Sequence, residues 1–196
     1  MLFIIIVQHS ENKVKQMAKN MKIIAVSSVV LFILFSTGYI IFPLDFFLTM
    51  AITCGTIAYH FCIRLLVGFI VDRIMHNKAD YHKPFYRVGK AENNLYKLLK
   101  VKKWKNRMPT YSPDTFSPEK HTWSEIAEAT CQSEIVHEIN VVLSFLPLAA
   151  VHLFGSFLVF LLTSIGAAAF DLMFVIMQRY NRQRIIKIAD KEKARD

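Results

Sequence analysis

Apolar and polar residues along this chain are sorted into long blocks, with no short-range alternation. Residues 22–42 carry no charge after Lys22 and are rich in Ile, Val, Leu and Phe. About 20 apolar residues suffice for a helix to cross a bilayer, and no small-residue cleavage site of the A-x-A kind follows, so this block reads as a span and not as a removed signal peptide. Pro43, Leu44 and Asp45 leave room only for a tight external turn before a second apolar block, 46–71. A third tract, 139–178, is 40 residues long, too long for one crossing, and predicts two helices joined near 152–156. The blocks predict an all-α integral membrane protein built as a four-span helical bundle.

The polar stretch between spans 2 and 3 has its own pattern. Leu95, Leu98 and Leu99, flanked by Tyr96 and Trp104, recur at helical spacing among Lys97, Lys100, Lys102, Lys103 and Lys105. This predicts an amphipathic helix over 92–104 lying on the inner leaflet and ended by Pro109. Residues 111–120, with Pro113 and Pro118, read as irregular. Thr122-Trp123-Ser124-Glu125 has the form of a capping box, so the next helix is expected to begin there, with Ile126, Ala129 and Ile135 leading into span 3. The opening residues MLFIIIVQHSEN form an apolar run too short to span, suited to the interface unless the biological start is Met17 or Met21.

Composition and charge fix the setting. A hydrophobic content of 54% with 16 Phe and a mean hydropathy of +0.32 is unusual for a water-solvated domain. Lysines and arginines crowd the N-terminal segment (13, 15, 19 and 22), the loop 72–120, with 12 basic against 5 acidic residues, and the tail from Arg179, with 7 against 3. The turns near Asp45 and Gly155 have none. By the positive-inside rule, both termini and the large loop are cytoplasmic in a multi-pass protein of the cell membrane. The organisation expected is a cytoplasmic segment 1–21, a transmembrane hairpin 22–71, a basic loop 72–138, a second hairpin 139–178 and a basic tail 179–196. The net charge of +9 then points to the anionic inner leaflet as a partner and not to nucleic acid, because the basic residues hug span ends. Cys54, Cys62 and Cys131 lack CxxC or paired spacing, which excludes a disulfide framework or zinc knuckle.

Against this apolar background a few polar residues stand out. His60 and Arg64 sit in the middle of span 2, four apart and so neighbours on one helix face, where an ionisable group is by default a functional candidate. Ala51, Gly55, Ala58 and Cys62 form a stripe of small residues on the opposite face, suited to close helix approach. Arg64 lies eight residues before Asp72, and Asp171 lies eight before Arg179. Equal depth predicts an Arg64–Asp171 ion pair.

Near the cytoplasmic boundary a second group gathers. Glu134 and His137 share a helix face by their E-x-x-H spacing, and a carboxylate beside an imidazole can orient it as a general base. Trp104 and Lys105 close the interface helix, and Arg179, Tyr180, Asn181, Arg182 and Arg184 close span 4. Arginines at such a boundary suit a phosphate or carboxylate. None of the seven histidines is followed by Asp five residues on, and no GxSxG elbow occurs, so two common acyl-transfer motifs are absent. Three classes stay open: an O-acyltransferase with His137, Glu134, His60 and Arg64 as candidate catalytic residues; a metal-dependent membrane enzyme, for which His60, Glu134 and His137 are too few to assign a metal site; and a non-catalytic lipid-binding or assembly factor. No cofactor is called for.

Three elements resemble those of one family. Trp104-Lys-Asn-Arg-Met-Pro109 resembles a W-K-x-x-[L/M]-P element, Ser133-Glu-Ile-Val-His137 an A/S-E-x-x-H helix, and Gln178-Arg-Tyr-Asn-Arg-Gln-Arg184 the Q-R-Y-N-R-P-R signature of the glycosyl-4,4'-diaponeurosporenoate acyltransferases, with Gln183 in place of the usual proline. The resemblance spans roughly 85–185. It implies a small membrane acyltransferase that places a fatty-acyl group on a hydroxyl of a lipid-linked acceptor, a glycosylated carotenoid or other glycolipid. Acyl-CoA or acyl-carrier protein is the implied donor.

Overall fold

The computed structural model describes the backbone of residues 2–109, 111–112, 114–155 and 157–194, and side chains within these from Ala18 onward. The described residues are helical with no strand. The main helices are α1 (Leu2–Ile41), α2 (Asp45–Met75), α3 (Lys90–Leu98), α4 (Val101–Trp104), α5 (Trp123–Leu143), α6 (Val151–Phe154) and α7 (Phe157–Lys193). Four stretches are long and apolar enough to cross a membrane: Ala18–Ile41, Asp45–Met75, Trp123–Phe154 and Phe157–Lys193. The protein is therefore an all-α, multi-pass membrane protein, as the apolar blocks predict. The chain divides into two compact units, Met1–Leu66 and Val67–Asp196.

In the first unit, α1 and the opening of α2 meet through the tight turn expected at Pro43–Asp45. The α1 backbone is already helical from Leu2, while the side chains of the opening apolar run lie outside the described residues. Two glycines set the helix approach. A Cβ on Gly38 would lie 2.8 Å from the Phe47 ring, and one on Gly55 would lie 3.0 Å from the Phe32 ring. Phe35, Phe46 and Phe47 pack their rings together beside the turn, with centroids 5.7–6.5 Å apart. Ala51 and Ala58 of the small-residue stripe are buried and Gly55 lies against Phe32, whereas Cys62 is exposed, so the stripe closes against protein over its first three members.

The second unit is organised by α5 against α7. The helices run antiparallel, since Ser133 meets Gln178 while His137 meets Asp171. Buried residues at Ser164, Ala168, Asp171, Val175, Gln178 and Arg182 mark the seam along α7 at a spacing of three to four, the period of one helix face. The seam on α5 takes in Ala127, Cys131, Glu134, Asn140 and Ser144. Helix α5 begins with the expected capping box: the Glu125 amide donates to Thr122 Oγ1 (3.3 Å) and the Thr122 amide donates to Glu125 Oε2 (2.8 Å). It ends at Leu143, and the connection to α7 passes through a 3-10 turn (Leu146–Ala150), α6 and Gly155 in the positive-φ region (φ 65°). Ser156, at the end of the expected junction, lies outside the described residues.

The loop folds onto the ends of α5 and α7. His76 and Asn77 adopt left-handed backbone angles, and Gln132 fixes this corner by accepting from the Asn77 amide (2.6 Å) and donating to Asp72 Oδ1 (3.1 Å). Tyr81 and Tyr86 then bury against Ala127 and Cys131. The single interface helix expected over 92–104 is two helices, α3 and α4, broken at Lys100 in the left-handed region (φ 51°). The break lets Tyr96 and Val101 both face the protein, buried, while Leu95, Leu98 and Leu99 stay exposed.

Candidate functional site

The signature 178–184 crosses from the apolar part of α7 into its polar end, and six of its seven residues are engaged by other elements. Gln178 Nε2 donates to Ser133 Oγ of α5 (3.0 Å). Arg179 reaches in two directions: Nε donates to Glu92 Oε1 (2.5 Å) and Nη2 to Glu92 Oε2 (3.1 Å) on α3, while Nη1 pairs with Glu134 Oε1 on α5. The same guanidinium also donates to the carbonyls of Phe85 and Arg87. The Tyr180 ring packs edge-on against Tyr96 (5.9 Å), and Asn181 Oδ1 accepts from Lys105 Nζ (2.7 Å). Arg182 pairs with Glu134 Oε2, donates to the Tyr86 carbonyl (3.1 Å) and lies 5.0 Å over the Tyr86 ring. Gln183 Nε2 donates to Asn93 Oδ1 (3.0 Å). Arg184 is exposed and makes no hydrogen bond or ion pair among the described residues.

Glu134 is fully buried and Arg182 nearly so. Two carboxylates (Glu92, Glu134) are paired with two guanidinia (Arg179, Arg182), and a third carboxylate, Glu138, lies close to Glu134. Such pairing is the condition under which buried ions are tolerated. At Glu92, burial raises the carboxyl's proton affinity, but the Arg179 hydrogen bond and the Tyr96 hydroxyl outweigh it and hold the group below its ordinary value. Tyr96, which donates to Glu92, is pushed up first by burial and then by that carboxylate.

His137 and Glu134 share a face of α5, as their spacing predicts, but their partners differ. Glu134 is taken by the two arginines, and the carboxylate at the imidazole is Asp171 of α7, with His137 Nδ1 to Asp171 Oδ1 at 2.9 Å. The ring stacks on Phe174 at 4.4 Å, nearly parallel. The Asp171 side chain is 1% exposed and that of His137 20%. An ionised carboxylate only accepts, so a neutral imidazole in this pair carries its proton on Nδ1 and its lone pair on Nε2, directed away from Asp171. Nε2 has no hydrogen-bonding partner among the described residues. An oriented imidazole with a free lone pair can remove a proton from a hydroxyl.

The remaining residues singled out from the sequence divide between the units. His60 is buried in the first, and Arg64 Nη1 donates to the His60 carbonyl (2.7 Å). Trp104 Nε1 donates to the Leu99 carbonyl (3.0 Å), closing α4 back on α3. Among the described residues no three His, Cys, Asp or Glu side chains converge as a metal-ligand set. Sequence reasoning missed Glu92, Tyr86 and Asn93, and the role of Asp171 at His137. Glu92 left a signal: it is the only acidic residue between Asp80 and Asp114, a stretch rich in lysine and arginine.

Residues 77–191, more than half of the chain, match the family model described as glycosyl-4,4'-diaponeurosporenoate acyltransferase. The match takes in the loop, α5 and nearly all of α7, hence the whole carboxylate–guanidinium network and the His137–Asp171 pair. Comparison with curated proteins and with solved structures found no match.

Proposed function

The chain belongs to the glycosyl-4,4'-diaponeurosporenoate acyltransferase family, and on that premise we propose that it moves a fatty-acyl group from a thioester donor, acyl-CoA or acyl-carrier protein, to a hydroxyl of a glycosylated lipid, with His137 as the base. The family's description makes a glycosylated carotenoid the first acceptor to consider. His137 Nε2 takes the hydroxyl proton as the oxygen attacks the thioester carbon. A C–O ester bond forms, the C–S bond breaks, and the proton passes from Nε2 to the departing thiolate. Asp171 fixes the tautomer and stabilises the imidazolium formed midway, while Phe174 holds the ring plane.

The observation that carries this reading is the His137–Asp171 pair, with Nε2 left free on a partly exposed ring. The network of Glu92, Glu134, Arg179 and Arg182 would serve a non-catalytic lipid-binding protein equally well. A partnerless imidazole nitrogen would not be needed there. The basic loop and both termini face the cytoplasm of a cell-membrane protein in this reading, so a reporter fused at Lys103 reads as cytoplasmic. Mass spectrometry of lipids from cells with and without the chain tests the reaction. A glycolipid carrying one extra fatty-acyl ester should appear with the wild type and vanish with His137→Ala. Identical lipid profiles in all three would reject acyl transfer.

A further inference from the structure

The geometry points to a phosphate site formed by Lys105 and Arg184 at the loop end of α7. Four cations near this end were expected to meet an anionic ligand, and two of them, Arg179 and Arg182, are matched by Glu92 and Glu134. Lys105 is not matched by an acid. Its Nζ is held by a neutral acceptor, Asn181 Oδ1, at 2.7 Å and lies 5.4 Å over the Tyr180 ring. That uses one of three ammonium protons and leaves donors to spare.

Arg184 follows Asn181 by three residues on α7, so the two lie on one side of the helix. Its guanidinium is exposed and has no acidic partner among the described residues. Lys105 is anchored at Asn181, and Arg184 stands about one helical turn further along the same side of α7; burial, and then the Arg184 charge, lower the proton affinity of Lys105. An anchored ammonium and a planar guanidinium on one side of a helix suit an oxyanion, and the guanidinium fork matches phosphate geometry. The half-buried position of Lys105 means that its hydrogen bond to Asn181 is already made before any ligand arrives, which lowers the ordering cost of binding.

The chemistry recognised is a phosphate group, and two sources carry one: the nucleotide or phosphopantetheine arm of a thioester donor, and the headgroup of an anionic phospholipid. Only the first source rests on the acyl-transfer reading. Full-length protein in a neutral maltoside detergent can be titrated with coenzyme A and, separately, with dioctanoyl-phosphatidylglycerol, following binding by calorimetry. Lys105→Gln and Arg184→Gln should each weaken the bound probe about tenfold, the effect of losing one charge-assisted hydrogen bond, and Arg184→Glu should weaken it further. Added salt should weaken wild-type binding as well. Because Arg184 is exposed, its variants should melt with the wild type, which keeps the result independent of folding.

Coenzyme A bound, and released by these substitutions, supports the site with the donor as its source. Phosphatidylglycerol bound in the same variant-sensitive way, without coenzyme A, supports the site with the headgroup as source. Equal affinity of wild type and all three variants for both probes would overturn it. His137→Ala separates the two proposals, since it should abolish acyl transfer while leaving this binding intact. A His137→Ala protein that still transfers acyl groups removes the base from the function proposed above and leaves the phosphate site standing.

Discussion

The two units differ in how far their polar side chains reach. In the hairpin of α1 and the opening of α2, the hydroxyls of Ser27, Ser28, Thr37, Thr49, Thr53 and Thr56 each turn back to a carbonyl one turn earlier on their own helix. Such bonds satisfy a side chain without needing a neighbour, which suits a helix in lipid. In the second unit, beside local bonds of the same kind at Thr130, Ser144 and Thr163, polar side chains reach across the fold: Gln178 to Ser133, Arg179 to Glu92 and Glu134, Arg182 to Glu134, His137 to Asp171. Local bonds hold a helix; distant ones hold an arrangement of helices. The family match at 77–191 falls on the second kind, so what this chain shares with its family is the region where side chains fix one element against another.

The sharpest way to break that contrast is to compare the two buried-side histidines. His137→Ala should lower turnover per unit of folded protein about 10²–10⁴-fold, the usual contribution of a positioned base, with some loss of melting temperature because the buried Asp171 loses a partner, and Asp171→Asn should cost part of the same turnover because it removes the charge that orients the ring. His60→Ala should cost far less, measured as acylated product per unit of folded protein. A reversed ranking, with His60→Ala inactive and His137→Ala active, would move the chemistry into the first unit.

Stability comes next. Glu134→Leu strands the buried Arg182 guanidinium, whereas Arg179 keeps Glu92, and Arg182→Leu leaves Glu134 with Arg179 as its one remaining cation. Glu134→Leu should cost about 3–5 kcal/mol and Arg182→Leu less, with the double variant recovering part of the loss. Thermal unfolding in detergent measures this cycle. The same cycle with Arg64→Leu and Asp171→Leu tests the ion pair expected from their equal depth. A positive coupling energy would join the hairpin to the family region, and simple additivity would show the hairpin to be energetically separate. Recovery there should be incomplete in any case, because Asp171 also serves His137.

The architecture was legible because lipid imposes it: apolar block lengths, Pro43 at the first turn and the Thr122 capping box each follow from local rules that tertiary contacts do not override. The site was legible only as a list of participants. Spacing places Glu134 and His137 on one face of α5, but which carboxylate meets the imidazole depends on the rotation of α7, which no local rule sets. The break at Lys100 was hidden for a similar reason. A left-handed lysine is intrinsically disfavoured and is held here by the burial of Tyr96 on one side and Val101 on the other. The signature 178–184 read as a cluster of free cations because its acidic partners, Glu92 and Glu134, lie 87 and 45 residues away in sequence.

A smaller effect distinguishes the outer surface of α3 and α4 from the network beneath it. Leu98 is 77% exposed and is flanked by Lys97, Lys100, Lys102 and Lys103, so this face should rest on an anionic leaflet with about 1 kcal/mol from each basic residue near the surface. A fluorophore on Leu98→Cys in full-length protein, reconstituted in nanodiscs, should be quenched by headgroup-level spin-labelled lipid. Quenching should be stronger with phosphatidylglycerol than with phosphatidylcholine and should fall when the four lysines become Gln. A probe that stays water-exposed in both lipids would show that the face meets solvent.

The smallest effect is a pH dependence confined to the rim of the network. Glu92 ionises more readily in the folded protein than its ordinary value, because Arg179 and Tyr96 stabilise the carboxylate against the cost of burial. A depressed folded-state value means that the unfolded chain binds the proton more tightly, so the contribution is fully present above the ordinary carboxyl value of about 4.3 and is lost as pH falls through the lower folded value. Stability measured by thermal melting between neutral pH and about pH 3 should therefore show an acid limb, and Glu92→Gln should flatten part of it while lowering stability at neutral pH. The deeper carboxylate offers the contrast that makes the test specific. Glu134→Gln should lower stability far more at neutral pH than Glu92→Gln does, because two guanidinia depend on it and only one depends on Glu92. Equal losses from the two substitutions would mean that α3 is held as firmly as the α5–α7 seam and that the loop is part of the core.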